Sequence, residues 1–136
     1  MSNKPITLGA FEPVDFPDFD IVGMHAKIDT GADTGALHAT NISEAETAEG
    51  KVLHFSPFDH PERVKTADSY TARLVRSSNG QAERRYYIDT VIRIQGKEYP
   101  IHLSLADREK MTHQVLIGKR FLTKHKLLVD VARDSQ

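Results

Sequence analysis

A carboxylate at the end of an apolar, strand-like run is the first group in this chain that could do chemistry. Residues 26–28, AKI, lead directly into Asp29-Thr30-Gly31-Ala32. The glycine gives the backbone freedom, the alanine lets another group approach closely, and the threonine hydroxyl can fix the turn by hydrogen bonding. An aspartate held in this way can act as a general acid or base. Asp-Thr-Gly is also ordinary turn chemistry, so both interpretations stay open on this tetrapeptide alone.

A second feature lies near the C-terminus. Residues 114–122, QVLIGKRFL, form an apolar run that ends in Gly118 and continues into a basic pair and the apolar start of a helix. Asp33-Thr34-Gly35 repeats the Asp-Thr-Gly sequence of the first turn. So short a repeat cannot rebuild both a strand and its turn, and we do not expect a second site there.

The elements that must position these residues are short strands joined by tight turns. Asn79-Gly80 is a strong hairpin signal between two alternating runs. The residues at period two on one face are Tyr86, Ile88, Thr90, Ile92 and Ile94 in the return strand, and Ile101, Leu103 and Leu105 in the next. Strands are predicted at residues 6–11, 20–28, 36–41, 51–56, 69–76, 82–94, 97–105, 114–118 and 127–131, loops at 12–19 and 57–68, and one helix at 119–126. The pattern predicts an all-β protein, a small barrel or sandwich with one helix.

Composition narrows the class of protein further. A chain of 136 residues with 27% charged and 39% hydrophobic residues is typical of one soluble globular domain, residues 1–136. The net charge of -1 gives no sign of nucleic acid or membrane as a partner. No segment approaches the roughly 20 apolar residues that span a bilayer. The absence of cysteine excludes disulfides and fits a reducing compartment, so we expect a cytoplasmic protein.

Taken together, the two features resemble the retropepsin-like aspartic peptidases. In that family a strand ends in Asp-Thr-Gly-Ala and, later, apolar residues precede a glycine and a short helix, as Ile28 to Ala32 and Val115 to Gly118 do here. Residues 20–134 are more closely similar to a bacterial family of stand-alone retropepsin-like proteins that has been labelled an ATP-dependent zinc protease. The resemblance implies a small closed β-barrel of the retropepsin (acid protease) type with one short C-terminal helix.

The resemblance also implies a mechanism. Aspartic peptidases bring two carboxylates within hydrogen-bond reach, and the pair shares one proton because like charges so close cannot both ionise cheaply. One member activates water and the other polarises the carbonyl, without a metal or cofactor. The chain has one such turn, so the family pattern implies a homodimer with one Asp29 from each subunit at the two-fold axis. Thr30 would lock the two loops together, and Gly31 and Ala32 would complete the turn.

Residues around the catalytic turn have a supporting role in the family pattern. In viral retropepsins an aspartate just after the turn pairs with an arginine that follows the later glycine. The matching positions here hold Asp33 and Lys119, with Gly118 before the lysine. The bacterial relatives commonly have a basic residue at the position of Asp33, and this chain departs from them there. Two solvated charges are the alternative to an Asp33–Lys119 pair.

The substrate is expected to be an extended peptide or protein segment covered by a flap. The flap candidates are the hairpin 75–85 and the loop 57–70. Arg84 and Arg85 contribute to a local excess of positive charge that could meet an acidic peptide, although a solvated strand face is the alternative. Members of the bacterial family are linked with ATP-grasp ligases that add glutamates to protein C-termini, so trimming of glutamate-rich tails is a substrate hypothesis. His38, close after the DTGA turn, is the histidine with most claim to a substrate role.

The sequence motifs give little support to zinc binding or ATP binding. None of the seven histidines forms His-Glu-x-x-His, and a cluster of His25, His38 and Asp29 is the only metal-binding arrangement that the sequence suggests. No phosphate-binding Gly-x-x-x-x-Gly-Lys-Ser/Thr loop occurs. The sequence therefore predicts an aspartic peptidase without metal or cofactor. A catalytically silent peptide-binding module of the same fold and a zinc-dependent peptidase are the alternatives.

Overall fold

The computed structural model describes residues 5–58, 60, 62–76, 79–108 and 112–133. Within these ranges nearly all regular structure is strand. In chain order the elements are β1 (Thr7–Leu8), β2 (Phe11–Phe16), a 3-10 helix (Pro17–Phe19), β3 (Ile21–Ile28), β4 (Gly35–Thr47), β5 (Gly50–Pro57), β6 (Lys65–Ala67), β7 (Tyr70–Arg76), β8 (Ala82–Ile94), β9 (Lys97–Ala106), β10 (Val115–Ile117), α1 (Lys119–Lys124) and β11 (Leu128–Val129).

Six of the strands close into a barrel. Their order is β10-β3-β2-β8-β9-β4, and β4 pairs with β10 to complete the circle. The short strand β10 is parallel to β3 and antiparallel to β4, so it sits between two strands that are consecutive in the chain. Closure leaves these six strands without a free edge inside the ring. The prediction of an all-β closed barrel with one short helix is confirmed.

The barrel interior is filled by the residues that alternate along its strands. On β8 the side chains of Ile88, Thr90, Ile92 and Ile94 are buried, and Tyr86 at the end of the same face is half-buried. On β9 the buried residues are Ile101, Leu103 and Leu105. The period-two prediction for both strands is therefore confirmed, because one face of each strand packs inside the closed sheet.

Strand β4 belongs to two sheets because it bends in the middle. Its first part, Gly35 to His38, pairs with β9 in the barrel. A register shift follows between Thr40 and Ser43, where Asn41 has a φ of 54°. Beyond this bulge β4 pairs with β5, and β5 pairs in turn with β6. A bulge of this kind redirects a strand while keeping its pairing.

The predicted hairpin at Asn79-Gly80 is present between β7 and β8, and Gly80 adopts a φ of 86° that suits glycine. Two loop predictions are wrong. Residues 12–16 lie in β2. Strand β8 pairs with β2 only at Val14 and Asp15, so Pro13, which has no N–H to donate, is not opposed by a residue of β8. The polar run 57–68 contains β6, and residues 59 and 61 of this run lie outside the described residues. For residues 106–111 the sequence suggests a loop or a single helical turn, and residues 109–111 of that segment also lie outside the described residues.

The two ends of the described chain meet beside the barrel. Strands β1 and β11 form a parallel pair, with Thr7 opposite Leu128 and Leu8 opposite Val129. The predicted strand at residues 6–11 is thus two strands, β1 and the start of β2, with a break at residues 9 and 10. Of the helices in the described ranges, none has the length and apolar character needed to cross a bilayer.

Candidate active site

Asp29 directly follows β3, and its turn is held by backbone hydrogen bonds. The Asp29 N–H donates to the carbonyl of Ile117 at the end of β10, at 2.9 Å. The Gly31 N–H donates to Asp29 Oδ1 at 3.0 Å, and the Ala32 N–H to the Asp29 carbonyl at 3.3 Å. The side chain of Asp29 is only partly buried, whereas Thr30 and Gly31 are exposed. The carboxylate is therefore both fixed in direction and open to a ligand.

The role that we expected for the glycine of the turn needs a correction. Gly31 is not among the residues with a positive φ, so the turn does not require a left-handed backbone there. A Cβ on Gly31 would instead lie 3.3 Å from Asp29 Oδ1, closer than side-chain atoms usually approach. A side chain at position 31 would therefore press on the carboxylate oxygen that accepts the Gly31 N–H.

A second chain segment locks the turn from the other side. The Lys119 N–H donates to the Ala32 carbonyl at 2.6 Å, and the Arg120 N–H donates to the Asp33 carbonyl at 3.0 Å. A Cβ on Gly118 would lie 2.8 Å from both the Asp33 carbonyl oxygen and the Gly35 nitrogen. The backbones of residues 33–35 and 118 are thus in direct contact. We call this arrangement of residues 29–35 and 117–120 the interlocked turn.

The structure brings Asp33 and Lys119 together as the family pattern implies. Lys119 Nζ lies 3.6 Å from Asp33 Oδ1. Both side chains are largely exposed, at 61% for the lysine and 69% for the aspartate. An ion pair so open to water contributes little stability. The backbone bonds of the interlocked turn, rather than this pair, hold the two segments together.

A groove of about 390 Å³ lies beside Asp29. Its apolar walls come from Phe11 on β2 and Leu116 on β10. Its remaining lining, apart from Asp29 itself, consists of Lys27, Arg108, Thr112 and His113. Three of these side chains are basic. We call this cavity the basic groove.

The basic side chains of the groove influence one another. Burial lowers the pKa of the Arg108 guanidinium, while the nearby Asp29 carboxylate acts in the opposite direction. Burial also lowers the pKa of His113, and the neighbouring basic groups Lys27, His25 and Arg108 lower it further. The ring of His113 stacks on Phe11 with centroids 4.7 Å apart. The Arg108 Nε–H donates to the His113 carbonyl at 3.0 Å, which holds the guanidinium in the groove.

His38 is fully buried and supports the loop that carries Arg108. Its Nδ1 accepts a hydrogen bond from the Arg108 backbone N–H at 2.7 Å, which places the proton of a neutral ring on Nε2. The His38 N–H donates to the Gln114 carbonyl at 2.8 Å, and its carbonyl accepts from the Phe58 N–H at 2.9 Å. His38 therefore positions a groove residue instead of lining the groove.

The zinc alternative finds no ligand set in the described part of the chain. There, no group of three or more histidine, cysteine, aspartate or glutamate side chains is arranged to hold a metal ion. His25 is exposed on β3, whereas His38 is buried on β4 with its Nδ1 bonded to backbone. The donors in the described ranges therefore do not fit a zinc site.

Arg84 and Arg85 both lie near carboxylates of the chain. Arg84 is 3.4 Å from Glu44, and Arg85 is 3.8 Å from Glu83. Glu44 also accepts hydrogen bonds from the hydroxyls of Tyr70 and Tyr86 at 2.7 and 2.9 Å. Those two bonds lower the pKa of Glu44, and its carboxylate ties the β4–β5 hairpin to the β7–β8 hairpin. Part of the positive charge at this hairpin is therefore balanced within the chain.

Sequence reasoning did not single out Lys27, Arg108 or His113. One signal was available for Lys27, because residues two apart on a strand share a face and Lys27 precedes Asp29 by two positions. No comparable signal exists for Arg108 and His113. They reach the groove through a loop whose path depends on tertiary contacts such as the bond to His38.

The fold and the turn define a class of protein, the retropepsin-like fold family, in which a β-barrel presents an Asp-Thr-Gly turn. The match to a family model is consistent with this class: the model described as RimB-like, retropepsin-like aspartic endopeptidase RimB, matches residues 7–135. The chain therefore belongs to the RimB-like family. This membership confirms the resemblance noted in the sequence.

Curated relatives of this chain are named as ligases rather than as peptidases. A protein of Shewanella pealeana named "Probable alpha-L-glutamate ligase" is 31% identical over 140 residues, covering 96% of this chain and 29% of the relative. A protein of the same name from Desulfotalea psychrophila is 27% identical over 132 residues, covering 92% of this chain and 28% of the relative. The chain thus spans less than a third of the length of these relatives.

A solved structure is similar over nearly the whole chain. It is the crystal structure of a Legionella pneumophila protein described as having unknown function. The TM-score is 0.79 at 25% sequence identity, and the match covers 99% of this chain and 98% of the other. The fold is therefore one that a crystal structure also contains.

Proposed function

We propose that this protein is a homodimeric aspartic peptidase in which Asp29 of each subunit contributes one carboxylate to a shared dyad. The observation that carries the proposal is the interlocked turn, which fixes a partly exposed carboxylate by backbone bonds at the end of β3. In the dyad, the ionised carboxylate takes a proton from water while the protonated one polarises the peptide carbonyl. The water oxygen adds to the carbonyl carbon, and the C–N bond then breaks with protonation of the leaving nitrogen.

The surface around Thr30 supports a second copy as the partner. Thr30 borders an open depression whose other walls include the apolar residues Leu122, Leu127 and Leu128. Leu128 is 53% exposed, and Val131 nearby in sequence is 78% exposed. Apolar side chains exposed next to a catalytic turn favour association. A two-fold contact at this surface would bring two Asp29 turns together.

The proposed substrate class is an acidic, glutamate-rich peptide tail. The support is twofold. Segments similar to this chain occur within longer proteins that are named as glutamate ligases. In addition, the groove beside Asp29 is lined by basic side chains. A peptidase associated with glutamate addition would act on the product of that addition, and we propose a functional link to such a ligase.

The test is peptide cleavage followed by mass spectrometry, with a mixed peptide library and glutamate-tailed peptides between about pH 4 and 8. The wild-type protein should cleave, and Asp29→Asn should reduce the rate by at least about a thousandfold, because the amide cannot replace the carboxylate as a base. Lys51→Met, on the exposed part of β5, is the control and should retain activity.

Other outcomes point to the alternatives. Cleavage that persists in Asp29→Asn would reject the aspartic mechanism. Cleavage abolished by a metal chelator would move the chemistry to a metal. Peptide binding without cleavage in the wild-type protein would favour the silent binding module of the same fold.

A further inference from the structure

The basic groove concentrates positive charge where the proposed reaction takes place. Lys27 lies two residues before Asp29, and Arg108 is close enough for the Asp29 carboxylate to influence it. His113 and Thr112 complete that side of the groove. The chain as a whole carries a net charge of -1, so this concentration does not follow from its composition.

The lysine and the arginine of the groove are not neutralised by a close ion pair within the described chain. None of the described carboxylates forms an ion pair with Lys27 or Arg108 within 4.0 Å. Arg84 and Arg85, by contrast, each lie within that distance of a glutamate. The Asp29 carboxylate lines the same groove and acts on Arg108, and the further positive charge of Lys27 can attract a second carboxylate.

Hydrogen-bond geometry leaves the guanidinium of Arg108 ready for such an anion. Its Nε–H is used by the His113 carbonyl, which fixes the plane of the group. Its two terminal nitrogens have no recorded acceptor among the residues that the structure describes. These nitrogens form the edge of a guanidinium that binds a carboxylate through two parallel hydrogen bonds. The His38 bond to the Arg108 backbone holds the base of the same side chain.

The walls of the groove match the rest of a glutamate side chain. Phe11 and Leu116 offer apolar surface on which two methylene groups can pack. The groove volume of about 390 Å³ is within the range of small-ligand sites and exceeds the size of one side chain, so adjoining peptide backbone also fits.

We propose that the basic groove is the subsite for the glutamate side chain next to the scissile bond, with Arg108 and Lys27 binding its carboxylate. This inference rests on the proposed function, because it assigns the specificity of the same site. It transfers the acid-recognising role that we expected for Arg84 and Arg85 to residues that sequence reasoning missed. Lys27 and Arg108 are then specificity-determining residues, and His38 is a positioning residue.

The experiment compares two peptides that differ only in charge. Each contains a single cleavable bond flanked by glutamate in one peptide and by its neutral isostere glutamine in the other. The ratio of kcat/KM for glutamate over glutamine is measured for wild type, Lys27→Met, Arg108→Gln and the control Arg84→Gln. Loss of a charge-assisted contact typically costs about 1.5–3 kcal/mol, so the ratio should fall by roughly ten- to a hundredfold in the first two variants and stay within about twofold in the control.

A binding measurement separates this inference from the proposed function. Asp29→Asn protein is titrated calorimetrically with a glutamate oligomer and a glutamine oligomer, alone and combined with Arg108→Gln. Selective glutamate binding that is lost with Arg108→Gln supports the subsite even if wild type cleaves nothing, in which case only the peptidase proposal fails. Equal cleavage or equal binding of the two peptides overturns the subsite, and so does absence of binding in both arms. Selectivity lost in Arg84→Gln instead would return the role to the hairpin.

Discussion

Lys27, Asp29 and Arg108 show how one carboxylate can be placed among basic side chains without being neutralised by a close ion pair. Their juxtaposition depends on the strand, which puts Lys27 on the same side as Asp29, and on a loop that returns to the groove. Burial, together with the charges of the neighbouring basic side chains, lowers the pKa of His113 and keeps its ring neutral over a wider pH range than that of an isolated histidine. Charge in the groove therefore resides mainly on Lys27 and Arg108.

The lowered pKa of His113 predicts a pH dependence of stability. The ordinary pKa of histidine is 6.5, and the pKa of His113 in the folded protein is lower. At pH values between the folded-state pKa and 6.5, the unfolded state therefore binds more protons than the folded state. The free energy of unfolding should therefore fall as pH drops below about 6.5. We expect His113→Gln to reduce this loss when denaturant unfolding is compared at pH 7.5 and 5.5. His102→Gln, on an exposed position of β9, is the control, and identical slopes for wild type and His113→Gln would contradict the assignment.

Among single residues, the sequence identified the turn better than it identified the groove. Asp29 and Gly118 stand in local patterns that can be read without a structure, and the structure places both in the interlocked turn. Arg108 and His113 belong to no local pattern. Their position depends on His38, a residue far away in the chain, whose ring accepts the Arg108 N–H. Contacts of this kind cannot be derived from spacing along the sequence.

At the scale of elements, the interlocked turn depends on two glycines that allow backbones to touch. Gly35 packs against the Leu116 carbonyl and the Leu103 side chain, and Gly118 packs against residues 33–35. Both contacts lie where β10 is inserted between β3 and β4. The space for a side chain is absent at both positions, so the packing of β10 and the position of Asp29 are coupled.

Gly118→Ala tests this coupling. The new Cβ would lie 2.8 Å from backbone atoms of residues 33–35, so the turn must move. We expect a loss of about 1–3 kcal/mol in the free energy of unfolding and a loss of peptide cleavage even at temperatures where the protein is folded. Thermal denaturation and cleavage assays measure the two effects.

Gly23→Ala is the matched control for that substitution. Its Cβ would meet no atom within 4 Å, but its φ of 73° makes alanine strained, so it should lower stability without moving the turn. Cleavage by folded Gly23→Ala protein should be retained. Full activity in folded Gly118→Ala protein would show that the interlocked turn tolerates displacement.

The element predictions succeeded where periodicity was long and failed where a proline broke it. Strands β8 and β9 were predicted closely because their buried faces alternate over many residues. Two prolines predict a loop over residues 12–19, yet residues 12–16 belong to β2. The missing N–H of Pro13 is tolerated because β8 does not pair with β2 at that residue, which is a property of the assembled sheet.

At the scale of the whole molecule, one chain contributes a single Asp29 and the proposed dyad needs two. Activity per subunit should therefore rise with protein concentration through the dimer dissociation constant and then level off. Analytical ultracentrifugation over the same concentrations should show the change from monomer to dimer. Activity per subunit that is constant while the protein stays monomeric would reject the shared dyad.

Mixed dimers give a sharper version of this test. Adding excess Asp29→Asn protein to a fixed amount of wild type should lower its activity, because most wild-type subunits then pair with an inactive one. An equal excess of serum albumin is the control for crowding and adsorption. Unchanged activity in the presence of Asp29→Asn protein, under conditions where dimers form and exchange, would mean that each subunit acts alone.

The insertion of β10 between β3 and β4 also sets a time at which the turn can form. Residues 26–28 and 35–37 are synthesised well before their shared neighbour at residues 115–117, with which both pair. Contacts between distant parts of a chain form late in folding as well, because the intervening loop must close first. The Asp29 turn is thus completed only when almost all of the barrel has been synthesised. On a nascent chain, the proposed dyad would therefore lack a complete Asp29 turn until residues 115–117 have been synthesised.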